Sequence, residues 1–316
     1  MNHRDVLLLR ICLVGGAAGC ASLASNVARD GFSAPGQTAS RRVAVGDGLR
    51  DYLLRVPTER ARTFLGWQRP YPLVIVLHGS RARGESIREQ SGMDSLAEAR
   101  HFLVAYPDGT GGRFGLNTDW NAGECCGNAQ RDGVDDVGFL RALIADVSAR
   151  WPVDRRRVYV AGFSDGARMA YRAACEMAGE VAAVAAVSGS LVAAHCAPRW
   201  PIPVIAFHGT SDEEVPFADT AYTAAREPVH GASGLPPTTQ FWMATNHCRG
   251  IVVHHVAPRV VETEGTGCVT DVVLYAIEGG PHGWPVAPSA RDAAGTGYVI
   301  SASPIIAQFF LRHRTP

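Results

Sequence analysis

Ser164 lies in the segment of the chain whose residue types and spacing best fit covalent chemistry. It is the central residue of Gly162-Phe163-Ser164-Asp165-Gly166, a G-x-S-x-G pattern. The apolar, β-rich run Val158–Ala161 precedes this pattern, and an Ala-, Met- and Arg-containing helical pattern follows it. A strand, a sharp turn and a helix in that order expose a serine hydroxyl at the strand tip, near a helix N-terminus. The segment therefore predicts that Ser164 is a nucleophile.

Polar, glycine-containing turns also follow three other strand-like runs. The runs Leu73–Leu77, Val204–Phe207 and Val272–Ile277 are apolar and β-rich. They lead into the turns His78-Gly79-Ser80, His208-Gly209-Thr210-Ser211-Asp212 and Glu278-Gly279-Gly280-Pro281-His282-Gly283-Trp284-Pro285. Because ligands bind at the carboxyl ends of the strands of an open parallel sheet, we expect these turns to meet at one site.

The turns supply an acid and a base for a serine nucleophile. His282 would accept the Ser164 proton and return it to the leaving group, and Asp212 would orient His282 and stabilise its charged form. The chain order Ser, Asp, His is that of α/β-hydrolases. The backbone N–H groups of Asp165 and Ser80 are expected to bind the oxyanion that forms when the serine attacks a carbonyl.

Other residues compete for the acid and base roles. Glu213 and Glu214 are adjacent to Asp212, which is favoured because it follows its strand at the short distance that places it at the sheet edge. His282 is favoured because it follows the last strand in the correct order. The competing histidines are His78, His208, His247, His254 and His255, of which the first two are expected to brace loops beneath the site.

The order of the predicted elements indicates the fold class. A β-hairpin is predicted by Arg42–Val45, a Gly-Asp-Gly turn and Arg50–Val56. Beyond it, strands alternate with helical patterns near residues 91–100, 135–151 and after Ser164. This alternation predicts an α/β-hydrolase fold in a single domain, with a mainly parallel central sheet flanked by helices. Residues 220–237 are expected to form an excursion over the active-site face.

The length, the net charge and the N-terminal segment limit the class of protein that this chain can be. The chain has 316 residues and a formal net charge of +0, so no basic surface is expected to attract nucleic acid. Residues 1–20 predict a signal peptide, residues 21–40 a linker and residues 41–316 the catalytic domain. Ala17-Ala18-Gly19-Cys20 resembles a bacterial lipoprotein box, so membrane attachment through a lipidated Cys20 is expected. The alternative is an N-terminal extension of a cytosolic protein.

The cysteines agree with export to an oxidising compartment. Six cysteines follow the predicted signal peptide: Cys125, Cys126, Cys175, Cys196, Cys248 and Cys268. An even number is typical of disulfide-bonded exported proteins. Cys248–Cys268 is the predicted pair, and the pairing of the other four stays open. Zinc is the competing interpretation, but no C-x-x-C pair exists, and no metal site is predicted.

Several motifs in order along the chain resemble the polyhydroxybutyrate depolymerase family of esterases, which includes feruloyl and acetylxylan esterases. They are His78-Gly79-Ser80, Trp120-Asn121-Ala122-Gly123, Cys125-Cys126-Gly127, Gly133–Phe139, the Ser164 segment, His208–Asp212 and Gly279–Pro285. The resemblance covers about residue 41 to the C-terminus. It implies an extracytoplasmic carboxylic ester hydrolase that uses no metal or cofactor. Ser80, Asp165 and Gly283 depart from residues common in the family at positions that line the site.

The expected substrate is a feruloyl or acetyl ester of plant polysaccharide, or a small aryl ester. Trp120 and Trp284 could form an aromatic wall for a phenolic acyl group or a sugar, with core packing as the alternative role. A hydroxyalkanoate polyester is the alternative substrate. A non-catalytic binding protein and an acyltransferase on the same scaffold are the other two hypotheses, and the presence of Ser164, Asp212 and His282 together argues against the first of these.

Overall fold

The computed structural model describes residues 34–62, 65–111, 118–193, 195–218, 229–287 and 298–316. The strands are β1 (Thr38–Val45), β2 (Gly48–Arg55), β3 (Tyr71–Leu77), β4 (Leu103–Pro107), β5 (Val153–Phe163), β6 (Ala183–Val187), β7 (Val204–Gly209), β8 (Gly250–Ala257), β9 (Val260–Thr266) and β10 (Val272–Ile277). The helices are α1 (Gly84–Ser91), α2 (Met93–Arg100), α3 (Gly127–Arg131), α4 (Asp136–Arg150), α5 (Asp165–Glu176), α6 (Pro237–Thr245) and α7 (Ala302–Arg312).

The strands form one mixed sheet whose middle is parallel and whose edges are antiparallel. Their order is β1-β2-β4-β3-β5-β6-β7-β10-β9-β8. The six strands from β4 to β10 pair in parallel, whereas the hairpins β1–β2 and β8–β9 add antiparallel edges. The mainly parallel sheet and the N-terminal hairpin therefore agree with the prediction from sequence.

The core lies on both faces of this sheet. Strand β3 is buried along its whole length, which explains its continuous apolar run. Its residues Leu73, Ile75 and Leu77 pack with α4 and α5 on one face. Its residues Val74 and Val76 pack with α1, α2 and α7 on the other face. Helices on both faces hold the parallel strands in place, so that the strand ends can carry a site.

Two predicted helices match the structure to different degrees. Helix α4 begins after Asp135, whose carboxylate accepts the N–H of Gly138 at 2.7 Å as an N-cap. It ends one residue before Trp151, as the sequence predicts. The helix expected at 91–100 is α2, which begins two residues later, at Met93. Helix α1, which was not predicted, precedes it, and Gly92 between them adopts a left-handed conformation with φ 60°.

Other differences concern the edge of the sheet and the chain termini. The hairpin β8–β9 and the helices α6 and α7 were not predicted. Strand β1 begins at Thr38, so the predicted linker at 21–40 extends three residues too far. The predicted signal peptide and lipoprotein cysteine lie outside the described residues, as does the first half of the expected excursion at 220–237. Within the described ranges, no helix combines the length and apolar character that crossing a bilayer needs.

Candidate active site

Ser164 lies in a strained turn between β5 and α5. Its backbone has φ 55° and ψ −117°, a conformation that costs a non-glycine residue about 1–3 kcal/mol and is held only where surrounding contacts enforce it. One such contact is the hydrogen bond that the N–H of Ser164 donates to the carbonyl of Val187 at the end of β6, at 2.9 Å. The turn points the residue away from the sheet at the carboxyl end of β5.

The glycines of the G-x-S-x-G pattern are required by close approach of backbone segments. A Cβ atom on Gly162 would clash with the carbonyl oxygen of Gly166. A Cβ atom on Gly166 would lie 2.5 Å from the carbonyl oxygens of Leu77 and His78. The first turn of α5 can therefore pack directly against the end of β3, which places Ser164 beside the turn that follows β3.

Asp212 and His282 meet at the ends of two adjacent strands. Strands β7 and β10 pair in parallel with Gly209 opposite Ile277, so the turns after them begin side by side. His282 Nδ1 lies 3.0 Å from Oδ1 and 2.9 Å from Oδ2 of Asp212. Because an ionised carboxylate can only accept a hydrogen bond, His282 carries a proton on Nδ1 and donates a hydrogen bond from it to Asp212.

The surroundings of Asp212 favour its charged form. Burial of the side chain opposes ionisation, but hydrogen bonds from His208, from the N–H of Val215 and from His282 outweigh that effect and hold the pKa of Asp212 below its ordinary value. His208 Nε2 also donates to the carbonyl of Val215 at 2.8 Å, which braces the loop as predicted. The carboxylate is thus available as a permanent acceptor for His282.

The competing residues lie elsewhere. Glu214 is close to the other ring nitrogen, with Oε2 at 3.8 Å from His282 Nε2, and does not contact Nδ1. His254 and His255 are exposed on β8, the edge strand, which β9 separates from β10. His247 is exposed after α6. The structure therefore brings Asp212 and His282 together and leaves these alternatives apart from that contact.

A cavity of about 300 Å³ joins Ser164 to His282. Both residues line it, together with the turn after β3 and with Glu214. Residues Ser86, Ile87 and Gln90 of α1 form another part of its wall. The ring of Phe163 also lines it and lies 4.9 Å, centroid to centroid, from the ring of His282. The cavity offers space for a substrate next to both groups.

The two N–H groups predicted for an oxyanion belong to residues next to Ser164 in the chain or in the cavity wall. Asp165 is the first residue of α5, where backbone N–H groups lack partners within the helix. Ser80 lines the cavity, and the neighbouring Gly79 packs so closely that its Cβ would lie 3.2 Å from Ser164 Cβ. Their role in binding an oxyanion stays a prediction.

His78 braces the turn that carries Ser80. It is fully buried, and burial lowers the pKa of its ring below the ordinary value. Its Nδ1 donates to the carbonyl of Gly79 at 2.7 Å, and its Nε2 accepts the N–H of Gly109 at 2.8 Å. The carbonyl of His78 accepts Trp120 Nε1–H at 2.9 Å. His78 is thus a structural residue, as the sequence predicts.

The aromatic wall predicted from Trp120 and Trp284 is wrong. Trp120 has no exposed surface and stacks with Phe139 in the core. Trp284 is 3% exposed and donates its Nε1–H to Ser303 on α7. Neither ring can touch a substrate, because both fill the interior. The aromatic ring that lines the cavity is Phe163, whose position inside the G-x-S-x-G pattern could have indicated this role.

All six cysteines of the predicted mature chain are paired. The structure joins Cys248 with Cys268, the pair expected from sequence, across the base of the hairpin β8–β9. It also joins Cys175 with Cys196 and Cys125 with Cys126. The sequence left these last two pairings open because spacing alone does not determine connectivity.

One group of potential metal ligands occurs among the described residues. It consists of Cys125, Cys126 and Asp165, whose ligand atoms lie within 4.8 Å of one another. Both sulfur atoms belong to a disulfide, so they are not thiolates, the form in which cysteine binds metals. The guanidinium of Arg168 contacts both sulfurs at 3.2 Å. We therefore interpret this group as a structural contact that joins the N-terminus of α5 to the loop before α3, and not as a metal site.

The fold and the arrangement at the strand ends define the class of protein as an α/β-hydrolase. The structure resembles that of an acetyl xylan esterase from Aspergillus awamori, with a TM-score of 0.57. The match covers 78% of this chain and 95% of that chain at 14% sequence identity, and at that identity it shows the fold alone.

Within this class, the chain belongs to the Esterase PHB depolymerase family, which matches residues 65–230, more than half of the chain. NocK of Nocardia uniformis subsp. tsuyamanensis, which is named an esterase, is 29% identical over 265 residues, covering 78% of this chain and 74% of that protein. Feruloyl esterase C of Emericella nidulans is 28% identical over 243 residues, covering 75% and 78%. The expected family is confirmed, and the chain is a serine carboxylic ester hydrolase.

Proposed function

We propose that Ser164, His282 and Asp212 form the catalytic triad of this esterase. The observation that carries the proposal is the contact of His282 Nδ1 with the Asp212 carboxylate at 2.9 Å, beside a cavity that Ser164 also lines. Because Nδ1–H is donated to Asp212, Nε2 of the neutral ring is left without a proton and can act as a base.

The reaction follows from these positions. Ser164 Oγ attacks the ester carbonyl carbon while His282 Nε2 accepts the hydroxyl proton. The N–H groups of Asp165 and Ser80 bind the oxyanion of the tetrahedral intermediate. When the intermediate collapses, His282 gives its proton to the leaving alcohol, and the acyl group stays on Ser164. Water then attacks the acyl group with His282 again as the base. The bond to Ser164 Oγ breaks, His282 returns the proton to Oγ, and the carboxylic acid is released.

Feruloyl or acetyl esters of plant polysaccharide, or small aryl esters, are the proposed substrates. Two of the similar proteins carry the names feruloyl esterase and acetyl xylan esterase. The cavity also has mixed chemistry that suits a phenolic acyl group, with Phe163 and Ile87 as apolar contacts and Ser86 and Gln90 as polar ones. A hydroxybutyrate polyester is the second candidate, because the family is named for it.

Export of the protein is proposed on two grounds. Residues 1–20 have the pattern of a signal peptide that ends in a lipoprotein-like cysteine. The three disulfides are typical of an oxidising compartment. Residues 38–316 then form the catalytic domain. Mass spectrometry of the N-terminus of the protein isolated from its own cells tests this: a lipidated Cys20 supports attachment to a membrane, and an unprocessed Met1 contradicts export.

The triad is tested with a fluorophosphonate probe and with Ser164→Ala. The probe should label the protein at Ser164, because only a serine activated by His282 reacts with it. Ser164→Ala should lose labelling and lower the hydrolysis rate by about 10⁴-fold or more while the protein stays folded. Near-normal turnover in Ser164→Ala would contradict the proposal, and absence of labelling in the natural protein would favour the non-catalytic alternative.

The substrate class is tested by a panel assayed against the same enzyme. It comprises methyl ferulate, acetylated xylan, 4-nitrophenyl esters of graded chain length and short hydroxybutyrate oligomers. The highest kcat/KM should fall on the feruloyl or acetyl esters. A preference for the oligomers would support the polyester alternative. Ester formation with added alcohols, in excess over hydrolysis, would identify an acyltransferase.

A further inference from the structure

Glu214 places a carboxylate at the mouth of the catalytic cavity. It lines the cavity together with Ser164 and His282. Its Oε2 lies 3.8 Å from His282 Nε2, and its side chain is 75% exposed to solvent. An exposed glutamate is ionised at neutral pH. A negative charge therefore lies beside the nitrogen that transfers the proton in the proposed reaction.

The position of this charge relative to His282 identifies the part of the substrate that it faces. In the proposed reaction, His282 Nε2 protonates the oxygen of the leaving alcohol, so that oxygen must come within hydrogen-bond distance of Nε2. Glu214, which lies next to the same nitrogen, is then on the alcohol side of the ester. The acyl group must lie on the other side of the carbonyl carbon.

Apart from His78 and His282, the described lining of the cavity holds no basic side chain that could balance the charge of Glu214. That lining contains no arginine, and the chain contains no lysine. Two arginines near this wall already have acidic partners. Arg83 pairs with Asp108 at 3.3 Å, and Arg88, on α1, pairs with Asp94 at 2.7 Å and also with Glu85. An anionic alcohol would therefore meet repulsion at this point.

The backbone at Glu214 is fixed by the same carboxylate that orients His282. Asp212 Oδ1 accepts the N–H of Glu214 at 3.1 Å and that of Val215 at 2.8 Å. The backbone of Glu214 thus cannot shift away from His282 without breaking hydrogen bonds to Asp212.

We propose that Glu214 is a specificity-determining residue that disfavours esters whose alcohol portion carries a negative charge. It favours neutral alcohols, such as uncharged sugars, over acidic ones. This inference rests on the proposed function, because the alcohol side is defined by proton transfer from His282.

The test compares two acetyl esters with the same acyl group and nearly the same leaving phenol. 4-Acetoxybenzamide is neutral, and 4-acetoxybenzoate carries a carboxylate in the same position. The ratio of kcat/KM for the neutral ester to kcat/KM for the charged ester is measured at pH 7 and low ionic strength. Each value is corrected for the intrinsic reactivity of the ester toward hydroxide. The enzymes are the natural protein, Glu214→Gln and the matched control Glu213→Gln, which changes the neighbouring exposed residue.

The natural protein should prefer the neutral ester, and Glu214→Gln should lower the ratio by about 3- to 30-fold, mainly by raising kcat/KM for the benzoate. Added salt should lower the ratio in the natural protein and not in Glu214→Gln. A ratio that changes less than about twofold in Glu214→Gln, or that changes equally in Glu213→Gln, overturns the proposal. Ser164→Ala tests the triad assignment separately from the role of Glu214. If this variant still hydrolyses both esters, the triad assignment fails. The role of Glu214 is decided by the ratio measured in Glu214→Gln.

Discussion

Asp212 receives hydrogen bonds from three parts of the chain. Oδ1 accepts the N–H groups of Glu214 and Val215, and both oxygens lie within 3.0 Å of His282 Nδ1. His208 Nε2 lies 3.4 Å from Oδ2. These donors hold the pKa of Asp212 below its ordinary value despite burial, so the residue remains a carboxylate wherever His282 is neutral.

Asp212→Asn should therefore lower kcat by about 10⁴-fold with little change in KM. The asparagine can present its amide N–H groups to Nδ1, which favours the histidine tautomer with the proton on Nε2, and that tautomer cannot act as a base toward Ser164. Kinetics with 4-nitrophenyl acetate measure the effect, and Glu213→Gln is the control. If Glu213→Gln lost as much activity, the assignment of the acid would be wrong.

Asp165 is a buried carboxyl group with one oxygen satisfied. Oδ2 accepts the N–H of Trp120 at 2.8 Å, and Oδ1 has no hydrogen-bond partner among the described residues. Burial raises the pKa of Asp165 to about 7. The charges of Asp119 and Asp136 act in the same direction, whereas the Trp120 N–H and Arg168 oppose the shift.

Asp165→Asn should remove a pH dependence of stability. A carboxyl whose pKa rises from 3.8 in the unfolded chain to about 7 in the folded protein stabilises the fold fully below about pH 4. That contribution falls by up to about 1.4 kcal/mol per pH unit until about pH 7. Urea unfolding of both proteins at pH 5, 6, 7 and 8 should show the variant gaining stability relative to the natural protein up to pH 7. A difference that is constant with pH would contradict the raised pKa.

The positions of Ser164, Asp212 and His282 could be predicted because each lies in the turn after a strand that ends in buried residues, and such strands are visible as apolar runs. The roles of Trp120 and Trp284 could not be predicted, since a tryptophan in a loop gives the same sequence signal whether its ring points into the cavity or into the core. That choice depends on packing against Phe139 and Ser303, which are distant in sequence.

At the scale of elements, the turn from β5 to α5 depends on contact with a third element. Gly166 packs against the carbonyls that end β3, and Gly79, just beyond β3, packs against Ser164. The end of β3 thus supports the helix that follows the nucleophile and also carries the proposed Ser80 donor. The glycines are needed for proximity rather than for backbone flexibility.

Gly166→Ala should destabilise the protein strongly, because its Cβ would lie 2.5 Å from two backbone oxygens that cannot move without shifting β3. The expected loss is about 3 kcal/mol or more in the free energy of unfolding. Gly48→Ala is the control, since its Cβ would meet only the Val45 carbonyl at 3.7 Å. Urea unfolding measures both variants, and equal stability of the two would contradict the packing of α5 on β3.

Elements with a continuous or periodic apolar pattern were predicted, and elements that depend on their neighbours were missed. Strand β8 has the short β-branched run Ile251-Val252-Val253, but the exposed residues His254 and His255 interrupt the apolar pattern. The break between α1 and α2 arises from the left-handed conformation of Gly92. Helix α7 does show apolar spacing at Ile306, Phe309 and Phe310, a signal that could have found it.

At the scale of the molecule, the order of strands in the sheet assembles the site. Strands β5, β6, β7 and β10 are consecutive neighbours, so turns at residues 164, 212 and 282 lie along one sheet edge. The sequence predicts that these turns share an edge, but not that β10 inserts beside β7 and is followed outward by β9 and β8. That order depends on pairing over long sequence distances, which a local pattern does not encode.

The hairpin β8–β9 supports β10, the strand that leads to His282. Strand β9 pairs with β10 from Val273 to Ile277, and the disulfide Cys248–Cys268 closes the base of the hairpin. The disulfide Cys175–Cys196 closes a loop of nearly the same length, 21 residues against 20. It involves the last turn of α5, at the end of the helix opposite Ser164. The two disulfides therefore form a matched pair for a test of how the edge hairpin affects the site.

Replacing both cysteines of either disulfide by alanine should lower the free energy of unfolding by about 3 kcal/mol, because loops of about 20 residues restrict the unfolded chain equally. Activity should respond differently. Loss of Cys248–Cys268 frees the hairpin that flanks β10, so the contact of His282 with Asp212 loosens and kcat falls before the protein unfolds. Loss of Cys175–Cys196 should leave kcat nearly unchanged at temperatures where the protein remains folded.

The comparison uses kcat for 4-nitrophenyl acetate, measured well below the unfolding midpoint of each variant. Equal effects of the two replacements on kcat would show that the hairpin does not position His282.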